Sequence, residues 1–224
     1  MARQLSLDLA QAATAGPEAF FVTSATAAAH AAVMGDLPWP GGKLVLVGPE
    51  GSGKTHLLSL WAAREGAAIL TGADLPGLPP PLPGAAIALD DADRLPTAAE
   101  EALFHLHNRL GATGGRLLMT ARRPPARWPV ALPDLASRLQ ASSLATLGDP
   151  DDRLLALLLA RFMAERQILP AAGVIPYLVS RMDRTSAAAR GIVAALDAAA
   201  LAEGRGVTRD LARAVLDKGT DGAR

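Results

Sequence analysis

Gly48-Pro49-Glu50-Gly51-Ser52-Gly53-Lys54-Thr55 reads G-x-x-x-x-G-K-T. Upstream, Lys43-Leu44-Val45-Leu46-Val47 has the continuous apolar character of a short buried strand, and downstream His56-Leu57-Leu58-Ser59-Leu60-Trp61 reads as the first turns of a helix. Glycines let the backbone wrap until successive N–H groups face one point, and a helix N-terminus adds positive potential there. This is the pattern of a phosphate-binding loop running from Gly48 through His56, with Lys54 reaching the distal phosphates and the Thr55 hydroxyl on Mg²⁺. A plain glycine-rich turn is the competing reading. Strand, loop, Lys-Thr and helix in a single order favour the nucleotide.

The 224 residues are enough for one domain with a small appendage. Lys and Arg number 22, as do Asp and Glu, so the formal charge is zero, which argues against a dedicated DNA-reading module. The chain has no cysteine, hence no disulfide or thiolate metal site, in keeping with a reducing cytoplasm. The strongest apolar run, Leu154 to Ala160, is too short to span a bilayer, and no secretory signal pattern follows Arg3.

Beyond the loop, Ala67–Leu70, Ala85–Leu89 and Arg116–Thr120 are predicted strands, with a helix over Pro96–Leu110 and another over Ser24–Met34. The prolines of Pro76–Gly84 restrict that stretch to a surface connection. Strands alternating with helices predict a parallel sheet between helices. Near Gly148 the pattern turns purely helical, with Asp149-Pro150 read as N-cap and first position of a helix to Glu165. Further helices are predicted over Val174–Met182, Arg184–Ala202 and Thr208–Lys218. The expected organisation is a tail over 1–16, an α/β P-loop NTPase domain over 17–148 and a helical lid over 149–224, which is the AAA+ arrangement.

Leu89-Asp90-Asp91 closes the strand after the proline-rich connection, and strand C-termini in such sheets face the ligand. Asp90 is the candidate Mg²⁺ holder and Asp91 the candidate that polarises an attacking water; these acids could instead cap the following loop. Thr120 is the candidate sensor near the terminal phosphate, against a simple strand-end turn bond. Arg138, in Leu132-Pro133-Asp134-Leu135-Ala136-Ser137-Arg138-Leu139, is the candidate arginine finger, a guanidinium offered to a neighbouring subunit's nucleotide, against an ordinary surface ion pair. Arg184 is read as a cation in a helical first turn, disfavoured there unless it reaches phosphates as sensor II; Arg181 competes for that role. No Asn-Lys-x-Asp guanine-reading motif is present in the sequence, so ATP or ADP is preferred. Residues around Phe20 to Ala25 are expected to help enclose the base.

With P-loop, paired aspartates, the Arg138 segment and the lid arginine in this order, the chain resembles the AAA+ portion of DnaA from about Pro17 to Lys218. Within that group it is most similar to the Hda family of DnaA regulators, since the sequence is too short to be expected to carry DnaA's helix-turn-helix domain. Gln4-Leu5-Ser6-Leu7-Asp8-Leu9 resembles the motif by which Hda binds the β sliding clamp, although Asp8 stands where that family often has proline. An extended peptide of this kind puts Leu7 and Leu9 into an apolar pocket while Gln4 bonds the rim, with Leu5 and Ser6 completing the contact; a frayed amphipathic start is the alternative.

The resemblance implies a regulator that, docked on the clamp, presents Arg138 to ATP on DnaA and promotes its hydrolysis, preventing re-initiation. It also implies ADP or ATP with Mg²⁺ as ligand, weak or no ATPase of its own, no sequence-specific DNA binding, no membrane and a cytoplasmic setting. Self-association stays open. An independent AAA+ ATPase such as a helicase loader is the other reading, although no aromatic-rich basic groove for single strands is visible.

Overall fold

The computed structural model describes residues 19–221. Thr26–Gly148 forms one compact unit. Its elements in chain order are α1 (Ala27–Met34), β1 (Lys43–Val47), α2 (Lys54–Glu65), β2 (Ala68–Leu70), β3 (Ala86–Leu89), α3 (Glu100–Ala112), β4 (Arg116–Ala121), α4 (Pro133–Gln140) and β5 (Ser143–Thr146). The five strands are parallel and ordered β2-β3-β4-β1-β5. Strand β1 is therefore flanked on both sides, with Leu44 in register with Leu118 of β4 and with Ser143 of β5. All five of its residues are buried, Lys43 together with the apolar run Leu44–Val47, as befits a central parallel strand. One face of the sheet packs Val45, Leu89, Leu117 and Met119 with Leu103, Leu106 and Leu110 of α3 and with Leu135 and Leu139 of α4.

This is the α/β P-loop architecture expected from the sequence, with one strand more. Strand β5 has no apolar run to betray it; of Ser143, Leu144, Ala145 and Thr146 only Ala145 is buried, because β5 is an edge strand. Backbone pairing to β1 makes it a strand, and such pairing leaves little trace in so short a composition.

The second unit comprises the helices α5 (Asp152–Glu165), α6 (Val174–Val179), α7 (Ser186–Glu203) and α8 (Arg209–Asp221), together with residues 19–25. Its own core holds Leu155, Leu159, Phe162, Val174, Leu178, Val193, Leu196 and Leu211, and Phe21 packs against it. The boundary after Gly148 separates the two units, and residues 19–25, which the sequence groups with the sheet, cluster with the helices. Two side chains of the helical segment, making three hydrogen bonds, hold residues 19–25 there. Arg161 donates to the Ala19 carbonyl at 3.2 Å, and the Asp151 carboxylate accepts from the Ser24 hydroxyl at 2.6 Å and the Ala25 amide at 3.2 Å.

Asp151 also corrects the expected helix start. It is the N-cap of α5 and accepts from the Leu154 amide at 2.7 Å, so Asp149 and Pro150 lie outside the helix. Arg184 needs a similar correction. Thr185 is the N-cap of α7, its hydroxyl accepting from the Ala188 amide at 3.0 Å, so Arg184 precedes the cap and stands outside the first turn. The dipole argument for an unusual cation therefore does not apply to it. Among the described residues no helix is long and apolar enough to cross a membrane.

Burial alone would raise the Asp151 pKa, but hydrogen bonds from Ser24, Leu154, Thr23 and Ala25 outweigh it and hold the group below the usual carboxylate value. A depressed folded pKa stabilises at pH above the unfolded value and loses that contribution as pH falls through the folded one. Asp151→Ala is expected to cost about 1–2 kcal/mol in urea unfolding at neutral pH. The gap from wild type should close as the pH falls below about 4; a gap independent of pH would count against the carboxylate's role.

Candidate nucleotide site

Three strand ends meet at the loop. Gly48 follows β1 directly and its amide donates to the Ala121 carbonyl at the end of β4, at 3.2 Å. Asp90 follows β3 and Thr120 lies within β4, one residue from its end. The loop then turns into α2 through Gly51 at φ 73° and Gly53 at φ 94°, left-handed values that an L side chain adopts only with strain. A Cβ on Gly48 would stand 2.6 Å from the Leu147 carbonyl oxygen and 2.8 Å from Ser52 Oγ, so this position admits no side chain either. The result is a cradle of backbone at a helix N-terminus.

Lys54 opens α2 and is buried, its ammonium donating to the Pro49 carbonyl across the loop at 2.8 Å. Burial lowers its pKa, Arg122 lowers it further, and the carboxylates of Asp91, Asp90 and Asp93 act in the opposite direction. Buried Ser52 Oγ has no hydrogen-bond partner among the described residues. Thr55 donates to the Asp90 carboxylate at 3.0 Å, and Thr120, fully buried, donates to the same carboxylate while accepting from the Asp91 amide at 3.0 Å. Thr120 thus bonds across to the end of the neighbouring strand rather than within its own turn. Asp91 itself is exposed and left-handed at φ 51°. His56, the third residue of α2, is half-buried.

A polyphosphate fits these residues. The glycine cradle, the buried ammonium and the spare Ser52 hydroxyl supply donors, and Thr55 with Asp90 forms a hard oxygen pair. Among the described residues no cluster of three or more His, Asp or Glu side chains could hold a metal. Mg²⁺ commonly takes one or two protein oxygens and completes its shell with phosphates and water, for which such a pair is sufficient.

Several contributors escaped the sequence reading because they act across long separations. Asp93 is buried and accepts from the Arg122 amide at 3.1 Å, fixing the loop after β4. Glu50 in the P-loop pairs with Arg122 at 2.9 Å on the surface. Glu100, buried at the start of α3, accepts from the amides of Ala131 at 3.0 Å and Leu132 at 2.7 Å, anchoring the entrance to α4. The latter is the helix of Arg138. Leu135 and Leu139 face the core, leaving Arg138 exposed with its guanidinium 5.3 Å from the Phe104 ring centroid.

The lid arginines lie in the helical unit. Arg184 pairs with Asp152 at 2.7 Å and donates to the Pro150 carbonyl at 3.2 Å. Arg181 donates to Ser180 Oγ at 2.7 Å and lies over the Tyr177 ring at 4.3 Å. Phe21, expected near the base, packs in the helical core described above. The Gln4, Leu5, Ser6, Leu7 and Leu9 motif lies outside the described residues.

The fold is shared with solved structures of the replication initiator DnaA and of RuvB. It is similar to domain III of DnaA from Thermotoga maritima, with a TM-score of 0.74 and 20% identity over 89% of this chain and 94% of that one. AMPPCP-bound DnaA from Aquifex aeolicus matches at a TM-score of 0.62 and 18% identity, over 78% of this chain and 62% of that one. The Thermotoga maritima RuvB Holliday junction branch migration motor matches at 0.61 and 17% identity, over 96% of this chain and 67% of that one. No family model matches the chain.

Replacing Thr120 by isosteric valine leaves the Asp91 amide and the Asp90 carboxylate each short of a partner. Thr120→Val is expected to lower stability by about 1–3 kcal/mol in urea unfolding and to weaken Mg²⁺-dependent nucleotide binding, read by calorimetry. Lys54→Ala should abolish nucleotide binding and leave the fold intact by circular dichroism.

Proposed function

We propose that the protein is a regulator of replication initiation which, held on the β sliding clamp by Gln4, Leu5, Ser6, Leu7 and Leu9, promotes hydrolysis of DnaA-bound ATP and so inactivates DnaA. The observation that carries this reading is Arg138. It stands exposed on a helix anchored through buried Glu100, and among the described residues it meets no carboxylate. An unpaired guanidinium at that place suits a phosphate on another molecule, where its planar donors and fixed charge would stabilise developing negative charge. The DnaA-like fold supports DnaA as that molecule, because AAA+ proteins associate with their own kind.

The chain's own nucleotide is ADP or ATP with Mg²⁺, and the AMPPCP carried by the Aquifex aeolicus DnaA supports the adenine choice. Gly48, Pro49, Glu50, Gly51, Ser52, Gly53, Lys54, Thr55 and His56 would hold its phosphates, with Thr55 and Asp90 on the metal. In this reading Asp91 would orient the attacking water with Thr120 behind it, and Arg184 would be the lid contact. The nucleotide's work here is to set the geometry of the surface that bears Arg138.

Arg138→Ala is expected to reduce clamp-dependent stimulation of DnaA ATP hydrolysis by roughly a thousandfold while clamp pull-down is unchanged; persisting stimulation would remove the finger assignment. Deleting Met1–Leu9 should abolish pull-down. The helicase-loader alternative demands turnover by the isolated protein, with Asp91→Asn as its control; robust turnover lost in that variant would favour it.

A further inference from the structure

A cavity of about 520 Å³ in the sheet unit is lined by Lys43, His107, Asn108, Gly111, Arg138 and Ser142 among others. Lys43 begins β1, at the opposite end of that strand from Gly48, so the cavity lies away from the P-loop. Ser142 Oγ donates to the Arg138 carbonyl at 3.3 Å, but four other polar side chains on the cavity have unused capacity. Lys43 is 2% exposed and its ammonium, with three donors, has one acceptor, the Gly41 carbonyl at 2.7 Å. Arg138 has no hydrogen-bonded or ionic partner among the described residues. Both ring nitrogens of His107 and Oδ1 of Asn108 are buried without partners. No acidic residue is among those lining the cavity.

Buried Lys43 and exposed Arg138 line one cavity where no carboxylate answers them, and a buried charge such as that of Lys43 is ordinarily paired. Burial, then Lys43, then Arg138 pull the His107 pKa down to about 4, so this ring is neutral at physiological pH. The wall therefore carries two positive charges, and its natural complement is a dianion. The Asn108 amide, turned over, offers its NH₂ to the same space, and the neutral His107 ring offers one N–H. We propose that this cavity binds the dianionic phosphate group of a small molecule, held by Lys43, Arg138, His107 and Asn108.

Free phosphate and a phosphomonoester share this chemistry, and the experiment separates them. Inorganic phosphate and methyl phosphate are titrated in turn into the full chain carrying Lys54→Ala, which removes the P-loop's own affinity, and the His107 ring signals are followed by nitrogen-edited NMR, assigned with His107→Gln. A saturable movement with either probe is expected; the tighter one identifies free or esterified phosphate. Lys43→Met and Arg138→Gln should each weaken it roughly tenfold or more, whereas Arg109→Gln, outside the cavity, should not. The exposed Arg138 keeps the test decisive should Lys43→Met fold poorly. Unmoved His107 signals, an equal response to acetate at matched ionic strength, or indifference to both cavity variants would overturn the proposal. Its failure is separate from that of the regulatory reading, since DnaA stimulation is measured without added phosphate and requires the clamp and Arg138, whereas phosphate binding requires Lys43 and no clamp.

Discussion

The shared grip on Asp90 is the constraint on which the nucleotide site depends. Thr55 reaches it from the start of α2 and Thr120 from β4, so a single carboxylate at the end of β3 fixes three segments that are distant in sequence. Because Thr120 also receives the Asp91 amide, the left-handed turn at Asp91 is held from behind. A hydrogen bond to a charged acceptor is stronger than a neutral one, and one acceptor serving two donors couples their positions. The P-loop is shaped locally by glycine, but its distance from the acids is set here.

A second chain of contacts runs through the same unit toward Arg138. The carboxylate of Glu100 sits under the amides of Ala131 and Leu132, just ahead of Pro133 at the first position of α4. That arrangement satisfies donors which a helix entrance leaves open, and proline needs none of its own. Leu135 and Leu139 then dock α4 on the core, which leaves Arg138 no choice of face. Its exposure follows from the i, i+4 spacing of its leucine neighbours.

Much of this was legible in the sequence because it is written locally. The apolar run of β1, the glycines and Lys54-Thr55, and the acids closing β3 each carry their meaning within a few residues. What was illegible depends on partners far along the chain. Strand β5 exists through pairing with β1. Asp149-Pro150 and Asp151 both fit a helix start, and the Ser24 and Ala25 groups more than 120 residues away help fix the choice at Asp151. Thr185, by contrast, is readable as a cap from its residue type, and it starts the helix at Ser186, two residues after the expected start at Arg184. Glu100 and Asp93 bond to backbone amides about thirty residues distant, which no periodicity announces.

The aromatic residues divide between the two units in a way that matters for watching either unfold. All three tryptophans, Trp39, Trp61 and Trp128, belong to the sheet unit, where Trp61 is fully buried and 5.4 Å from Trp39 between ring centroids. The sole tyrosine, Tyr177, belongs to the helical unit, flanked by Arg181 and Arg209. Emission excited at the red edge of indole absorption is therefore a signal from Thr26–Gly148 alone, silent about the second unit. Loss of that signal at a denaturant concentration different from that of the second phase of a biphasic loss of helical ellipticity would resolve the two units as separate cooperative blocks without a label on either.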